Sequence, residues 1–196
     1  MYKRQIHHRV KNNLKTVSAL LRLQARRIED PGASAALNEA VRRIASIALV
    51  HETLSSSRDS SVAFDEVLDS LVSHALELSP RMSELKIERT GKLGSLEPRI
   101  ATPLALVITE LIHNALEHGL AEEGSALGIH TAIQGSEVSV TISDDGVGFP
   151  DGFDISTSPN LGLQIVRTLT ENELRGTLSL ITDEKETRAI LTFPNV

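Results

Sequence analysis

ISDDGVGF, residues 142–149, is the stretch that decides how the second half of the chain folds. Alternating apolar residues lead up to Asp144, and two glycines, Gly146 and Gly148, follow with G-x-G spacing. Glycines let a backbone turn sharply and approach a flat or phosphorylated ligand. An aspartate at the end of a strand can also accept a hydrogen bond from an exocyclic amine. Because Asp-Gly is a common turn signal, an ordinary turn is the competing interpretation.

ELIHNALEH, residues 110–118, is a polar stripe within an otherwise apolar helical sequence. Glu110, Asn114 and either Glu117 or His118 recur at helical spacing and share one face. A carboxylate and an amide one turn apart can hold a hydrated Mg²⁺ through oxygen, with nucleotide phosphates completing the coordination shell. The competing interpretation is a solvated face that binds nothing.

NLGLQIV, residues 160–166, begins a further helical pattern. It carries Gly162 at the start of the helix, where free backbone N–H groups can bind a phosphate. The three stretches together predict a nucleotide site far more specifically than any one of them alone.

The segments around these motifs predict a domain that mixes helices and strands. Helices are expected over residues 64–78, 99–120 and 161–174. Strands are expected over residues 85–89, 127–133, 138–143, 177–182 and 187–193. Since the two kinds of element are partly segregated along the chain, we expect helices on one face of a mixed sheet.

The first part of the chain predicts a pair of helices. Apolar residues recur at helical spacing over residues 6–29 and 33–55, and Asp30-Pro31-Gly32 interrupts them. Such a hairpin buries too little surface to be stable alone, so we expect a second copy and a four-helix bundle. The polar run at residues 55–61 predicts a boundary between a domain at 1–57 and one at 62–196.

Two adjacent histidines, His7 and His8, begin the segment HHRVKNN. On a helical wheel built from the apolar stripe Val10, Leu14, Val17, Leu21 and Ile28, His8 lies about 160° from the stripe, on the solvent side. Asn12 follows one turn later on the same outer face, whereas His7 lies at the edge of the stripe. An exposed imidazole is largely neutral and nucleophilic at pH 7. An unremarkable surface histidine is the competing interpretation.

Composition excludes several classes of function. The chain has no cysteine, which excludes disulfides, thiolate metal sites and a cysteine nucleophile. Its net charge of −6 argues against direct binding of nucleic acid. Because no apolar run approaches the roughly 18 residues of a membrane span, we expect a cytoplasmic protein without a membrane segment. The abrupt start leads us to expect that an upstream input domain is missing.

The combination of these motifs, in this order and after a histidine-containing hairpin, resembles a sensor histidine kinase. The hairpin IHHRVKNNLKTVSALLRLQ is similar to the HisKA_2 dimerisation and phosphotransfer domain, related to the HWE kinases. The second domain resembles the GHKL (Bergerat) ATPase domain shared with gyrase, and the three stretches correspond to its N, G1 and G2 boxes. The resemblance covers about residues 6–194 and extends to actinobacterial kinases paired with an RNA-binding ANTAR response regulator.

This resemblance implies an α+β fold: an antiparallel helical hairpin followed by an α/β-sandwich ATP-binding domain. It implies ATP and Mg²⁺ as ligands, a homodimer, and transfer of the phosphoryl group to an aspartate on a response regulator. His8 would accept the phosphoryl group, Asn12 would orient the γ-phosphate or a water, and Glu110 would support the metal or act as a base. Asn114 would bind Mg²⁺ and Asp144 would recognise adenine. The other residues implied in nucleotide binding are His118, Gly146, Gly148, Leu161, Gly162, Leu163 and Thr187.

Several positions depart from the family pattern. Glu117 stands where many kinases carry lysine, and Arg9 follows His8 where an acidic residue is commoner. The loop at residues 149–160 is short for an ATP lid, and Glu186-Thr187 replaces the usual Gly-Thr. Two alternatives therefore stay open: a dimeric scaffold with a degenerate ATP site, and a serine kinase of the anti-sigma-factor type.

Overall fold

The computed structural model describes residues 2–56, 61–79, 81–121, 124–150, 152–155, 160–183 and 185–195, and for residues 2–8, 54–56, 78 and 82 it describes the backbone only. The helices are α1 (Tyr2–Ala25), α2 (Pro31–Ser56), α3 (Phe64–Leu78), α4 (Pro98–Asn114) and α5 (Leu161–Thr168). A 3-10 turn spans Met82–Glu84, and π turns extend α4 over Ala115–Gly119 and α5 over Leu169–Glu173. The strands are β1 (Val62–Ala63), β2 (Lys86–Thr90), β3 (Ser95–Leu96), β4 (Ala126–Gln134), β5 (Glu137–Asp144), β6 (Thr177–Thr182) and β7 (Thr187–Pro194).

The chain divides into two compact units. One comprises Met1–Leu71 with Ser95–Thr109, and the other comprises Val72–Gly94 with Glu110–Val196. The predicted fold class, a helical hairpin followed by an α/β domain, is confirmed.

The turn of the hairpin differs from the prediction by a few residues. Helix α1 ends at Ala25 rather than near residue 29, and α2 begins at Pro31 rather than at residue 33. The side chain of Asp30 accepts a hydrogen bond from the backbone N–H of Ala33 at 2.7 Å. Aspartate is a preferred N-cap and proline a preferred first helical residue, so Asp30-Pro31 starts a helix instead of only ending one.

The apolar stripe expected on α1 is only partly correct. Leu14 and Leu21 are half-buried, but Val17 is 44% exposed, and Ile28 lies beyond the end of the helix. Two further leucines on α1, Leu20 and Leu23, are exposed by 57% and 54%. Helix α1 therefore has an outward apolar face, formed by Val17, Leu20 and Leu23, in addition to the face that packs on α2.

The five-stranded sheet of the second unit has the order β2-β4-β5-β7-β6. Strands β2 and β4 pair in parallel, and the remaining neighbours pair antiparallel, so the sheet is mixed as predicted. Alternate residues of β5 are buried, as expected for side chains that point to opposite faces. Ile142 pairs with Ile129 of β4, and this register sets Asp144 at the end of β5 beside the start of β4.

Helix α4 carries many fully buried side chains, among them Leu104, Ile108 and Ile112. With its π turn it spans Pro98–Gly119, the one described helix long and apolar enough to cross a membrane, which the sequence analysis did not expect. Within the apolar window, 61% is buried inside the protein, as the core helix of a globular domain also shows.

Candidate nucleotide-binding site

A cavity of about 540 Å³ lies within the second unit. Its walls come from the end of α4 and its π turn, the end of β5, the loop after it, the start of α5, and strands β6 and β7. The predicted site residues that line it are Asn114, His118, Asp144, Gly148, Leu163 and Thr187. The three sequence boxes therefore meet around one cavity.

Asp144 is the most buried carboxylate that lines the cavity, with 7% of its surface exposed. Its Oδ1 accepts a hydrogen bond from the backbone N–H of Gly146 at 3.1 Å. A Cβ on Gly146 would overlap the carbonyl oxygen of Gly119, and a Cβ on Gly119 would overlap the Asp144 carboxylate. Both glycines are therefore needed for the backbone to pass this closely around Asp144.

Gly119 was missed by the sequence analysis. It lies at the end of the π turn, where the backbone N–H of Leu120 donates to the carbonyl of Ala115 at 2.7 Å. The only signal in the sequence was a glycine directly after the polar stripe. Its role became visible only once β5 was folded against the end of α4.

The charge state of Asp144 depends on its surroundings. Burial raises the pKa of Asp144, the hydrogen bond from Gly146 opposes this, and the negative charges of Asp145 and Glu186 raise it further. The carboxylate is thus a strong acceptor held in a site that disfavours its charge. A ligand that donates a hydrogen bond there compensates for that cost.

Asp145, which the sequence analysis treated only as a spacer, fixes the position of this loop. Its Oδ1 accepts hydrogen bonds from the backbone N–H groups of Ser125 and Ala126, both at 2.7 Å. Partial burial acts to raise the pKa of Asp145, but these two hydrogen bonds hold it below its ordinary value. Asp145 therefore stays ionised and ties the end of β5 to the start of β4.

Asn114 is the residue that best fits a phosphate-bound cation. It lines the cavity, and its Nδ2 is buried without a hydrogen-bond partner among the described residues. Buried amide groups normally have partners, so the unpartnered Nδ2, which is a donor, indicates a missing hydrogen-bond acceptor such as a phosphate oxygen, whereas Oδ1 is the atom that could bind a cation. No cluster of three acidic, histidine or cysteine side chains that could hold a metal occurs in the described part of the chain. Mg²⁺ does not require such a cluster, because it is commonly held by one or two protein oxygens together with substrate phosphates.

Glu110 lies one turn before Asn114 but is not among the residues that line the cavity. It is 4% exposed, and a Cβ on Gly162 would lie 2.5 Å from its Oε2. Asn160 caps α5 by accepting a hydrogen bond from the N–H of Leu163 at 3.3 Å. The structure thus brings the N and G2 boxes into contact through Glu110 and Gly162.

Two other members of the polar stripe lie at the rim. Glu117 and His118 are exposed and both line the cavity, and Glu117 pairs with His113 at 2.8 Å. Leu161, at the start of α5, is 53% exposed and does not line the cavity. Glu117 and His118 are thus solvent-exposed members of the stripe, whereas Glu110 is buried.

The G1 loop is attached to the β6–β7 hairpin. Gly148 has a φ of 77°, and a Cβ there would lie 2.6 Å from Cγ2 of Thr182. Thr182 Oγ1 accepts a hydrogen bond from the N–H of Phe149 at 3.2 Å and lies 3.4 Å from Oγ1 of Thr187. Thr187 is only 6% exposed and lines the cavity, although a glutamate precedes it where the family pattern has glycine.

His8 and Asn12 belong to helix α1 of the other unit. Asn12 is exposed, as predicted, and its carbonyl accepts a hydrogen bond from Thr16 at 3.0 Å. The predicted exposure of His8 and the edge position of His7 concern side chains outside the described ones. Nearby, Glu52 of α2 pairs with Lys11 and Lys15, which joins the two helices at this end of the hairpin.

Two family models match the chain. Residues 5–79 match HisKA_2, a histidine kinase family, and residues 99–196 match the histidine kinase-, DNA gyrase B- and HSP90-like ATPases. The second match alone covers half of the chain. The chain belongs to the histidine kinases. The predicted kinase family and its GHKL-type ATPase domain are thereby confirmed.

Named relatives and solved structures agree with this membership. The histidine kinase chain is 47% identical over 195 residues to sensor histidine kinase PdtaS of Mycobacterium tuberculosis, covering 97% of this chain and 39% of that protein. It is also 47% identical over 179 residues to PdtaS of Mycolicibacterium smegmatis, covering 90% of this chain and 36% of the relative. The chain thus spans less than half the length of these curated relatives.

A solved structure has the same fold. The histidine kinase domain of the blue-light activated histidine kinase EL346 from Erythrobacter litoralis matches with a TM-score of 0.74 at 22% identity. The match covers 97% of this chain and 89% of that one.

Proposed function

We propose that this chain is the catalytic core of a two-component sensor histidine kinase. It binds Mg-ATP in the cavity of the second unit, phosphorylates His8, and passes the phosphoryl group to an aspartate of a response regulator. The observation that carries the proposal is the cavity itself, where a buried acceptor, Asp144, and an unpartnered buried amide, Asn114, occur in a chain that also matches HisKA_2. We assign residues 1–57 to dimerisation and phosphotransfer and residues 62–196 to ATP binding.

Asp144 is assigned to the adenine. An ionised carboxylate accepts a hydrogen bond from the exocyclic amine, and Gly119 and Gly146 let the backbone pack closely around that carboxylate. Charge-assisted hydrogen bonds are roughly twice as strong as neutral ones. The same bond relieves the unfavourable burial of Asp144.

The phosphates are assigned to the other side of the cavity. Asn114 would hold Mg²⁺, with Glu110 in support of the metal or as a base, and His118 lies at the rim. The start of α5 around Gly162 would offer backbone N–H groups to a phosphate, apart from the N–H of Leu163, which donates to the Asn160 side chain. When bound, Mg²⁺ supplies neutralisation of the phosphate charge. The contact between Glu110 and Gly162 supports a role for Glu110 in setting the position of α5 relative to Asn114.

His8 is assigned as the nucleophile. One ring nitrogen forms a bond to the γ-phosphorus while the bond to the bridging oxygen breaks, ADP leaves, and the excess ring proton passes to water. Asn12, one turn along the exposed face, orients the phosphoryl group. The phosphorus–nitrogen bond then breaks as an aspartate carboxylate of the regulator takes the group. Catalysis here rests on positioning and charge neutralisation.

The partners are a second copy of the chain and a receiver domain. The outward apolar face of α1, Val17, Leu20 and Leu23, supports a homodimer in which two hairpins form a four-helix bundle. The resemblance to actinobacterial kinases supports a regulator of the ANTAR type and a cytoplasmic location. The net charge of −6 gives no support to direct nucleic-acid binding.

The proposal is tested by incubation with γ-labelled Mg-ATP followed by acid treatment. A histidine kinase gives a protein-bound label that acid removes, because phosphohistidine is acid-labile. A label that survives acid would identify the serine-kinase alternative. No label together with no binding of Mg-ATP in a thermal-shift titration would identify the degenerate scaffold and overturn the proposal.

A further inference from the structure

Two of the chain's four phenylalanines line the cavity, and neither is among the residues assigned to binding adenine, Mg²⁺ or phosphate. The rings of Phe149 and Phe153 stack with their centroids 4.9 Å apart and their planes 14° from parallel. The other two, Phe64 and Phe193, are buried at 0% and 3% exposure. Aromatic residues are only 3% of this chain, so a half-buried aromatic pair at a cavity calls for a reason other than core packing.

Backbone hydrogen bonds fix the positions of the two phenylalanines. The N–H of Phe149 donates to Thr182 of β6 at 3.2 Å, and the N–H of Phe153 donates to the carbonyl of Pro150 at 3.0 Å. Gly152 has a φ of 73°, a conformation that glycine adopts without strain. The hydrogen bond to Pro150 therefore fixes the position of Phe153, and the hydrogen bond to β6 fixes that of Phe149, before any ligand binds.

We propose that Phe149 and Phe153 form the stacking wall for the nucleobase, so that the base extends an existing aromatic stack. This inference rests on the proposed binding of ATP in the cavity. Aromatic rings prefer offset-stacked partners, and a purine presents a flat π face to such a ring. The remaining apolar lining is aliphatic, from residues such as Ile142, Leu180 and Ala189, so this pair supplies the phenyl rings of the described cavity.

The pair and Asp144 then recognise different properties of the base. Asp144 selects an exocyclic amine through a hydrogen bond, whereas stacking requires only a flat π surface. Base–aromatic stacking tolerates any base because every base has a π face. Removing the pair is therefore expected to weaken binding of all nucleotides and to leave binding of the phosphate chain unchanged.

The first test compares the affinities for Mg-ATP and for Mg-tripolyphosphate by calorimetry in the wild type, Phe149→Leu and Phe153→Leu. Each substitution is expected to weaken Mg-ATP binding roughly tenfold without changing the affinity for tripolyphosphate. Phe149→Tyr is expected to keep wild-type affinity because it keeps the ring. Phe193→Leu, in the same unit but outside the cavity, is the matched control and is expected to lower thermal stability alone.

The second test needs no substitution. With ¹³C-labelled phenylalanine, Mg-ATP is expected to shift the ring signals of Phe149 and Phe153 much more than those of Phe64 and Phe193, and tripolyphosphate is not. Binding of Mg-ATP without these shifts, or an equal loss for both ligands in the leucine variants, would overturn this inference alone. No binding of Mg-ATP to the wild type would overturn the proposed function and this inference with it.

Discussion

The two units of the molecule are incomplete in different ways. The helical unit, which is the one that contains α1 and α2, exposes apolar side chains on α1. Val17, Leu20 and Leu23 are exposed by 44%, 57% and 54%. The ATPase unit is the one that contains the cavity. The buried amide nitrogen of Asn114 has no partner there among the described residues, and the carboxylate of Asp144 is buried in the same cavity wall. Exposed apolar surface is covered by another protein surface, whereas polar groups buried at a cavity are satisfied by a small ligand. The comparison predicts that damage to each unit disturbs a different binding event.

The largest effect is expected on the helical side. Fully burying a leucine contributes roughly 1.5–3 kcal/mol, and a dimer uses each face twice, so Leu20→Glu with Leu23→Glu is expected to weaken dimerisation by about a thousandfold or more. Analytical ultracentrifugation measures the change. Ile133→Lys, at an exposed isoleucine of the ATPase unit, is the control and should leave the oligomeric state unchanged. A charged variant that remains a dimer at micromolar concentration would assign the interface to another surface.

The next effect concerns Gly146→Ala in the ATPase unit. The new Cβ overlaps the carbonyl of Gly119, and relieving such overlap typically costs about 1–3 kcal/mol and shifts the backbone around Asp144. We expect Mg-ATP binding to fall by about a hundredfold, measured by calorimetry, with dimerisation intact. Gly135→Asn is the control, because Gly135 has a φ of 61°, which asparagine tolerates, and open space around it. Normal ATP affinity in Gly146→Ala would mean that the base does not lie beside this backbone.

Asp144→Asn is expected to separate affinity from stability. Loss of a charge-assisted hydrogen bond of about 2 kcal/mol weakens Mg-ATP binding by roughly thirtyfold, while tripolyphosphate binding is unchanged. The pKa of Asp144 is raised by burial, so the folded state binds the proton more tightly than the unfolded state does. The wild-type carboxyl therefore lowers stability as the pH rises from its ordinary pKa through its raised one.

The ligand-free Asp144→Asn variant should consequently melt at a higher temperature than the wild type at pH 7.5. This advantage should vanish at a pH below the ordinary pKa of aspartate, where the wild-type side chain is also neutral. Thermal unfolding monitored by circular dichroism at several pH values checks both statements. An asparagine variant that is less stable at neutral pH would mean that the ionised carboxylate is compensated within the protein.

The smallest effect is expected for Thr182→Val. The substitution removes the acceptor for the Phe149 N–H but keeps the shape of the side chain. One hydrogen bond contributes about 1 kcal/mol, so Mg-ATP affinity should fall by about fivefold. Thr177→Val, at another threonine of β6 whose hydroxyl bonds across the strand pair to Thr192, is the matched control for calorimetry. Equal Mg-ATP affinities of Thr182→Val and Thr177→Val would show that ATP binding does not depend on the hydrogen bond between the loop and β6.

Features of the fold and of the site that depend on local periodicity or on a motif could be predicted from the sequence. The hairpin, the strands from β4 to β7, and the meeting of Asn114, Asp144 and Gly148 at one cavity were expected. Contacts between segments that only the fold brings together have no signal in the sequence. Gly119 contacts Gly146, which lies 27 positions later in the sequence, and no periodicity indicates such a pair.

The helical unit shows a second limit. Apolar spacing on α1 indicated one buried stripe, but two apolar faces are present, and a wheel averages them into one. Val17 was therefore assigned to the inner face although it belongs to the outer one. Aromatic stacking between Phe149 and Phe153 had no sequence signal beyond the rarity of aromatic residues in this chain.

The measurement that tests the central claim most directly is autophosphorylation with γ-labelled Mg-ATP in the wild type, His7→Gln, His8→Gln and Asp144→Asn, with Mg-ATP affinity measured in parallel. The account predicts an acid-labile label in the wild type and in His7→Gln. It predicts no label in His8→Gln although Mg-ATP still binds, and a reduced label in Asp144→Asn because binding is weakened. Wild-type labelling of His8→Gln would contradict the assignment of His8, and full labelling of Asp144→Asn at limiting ATP would contradict the assignment of the cavity.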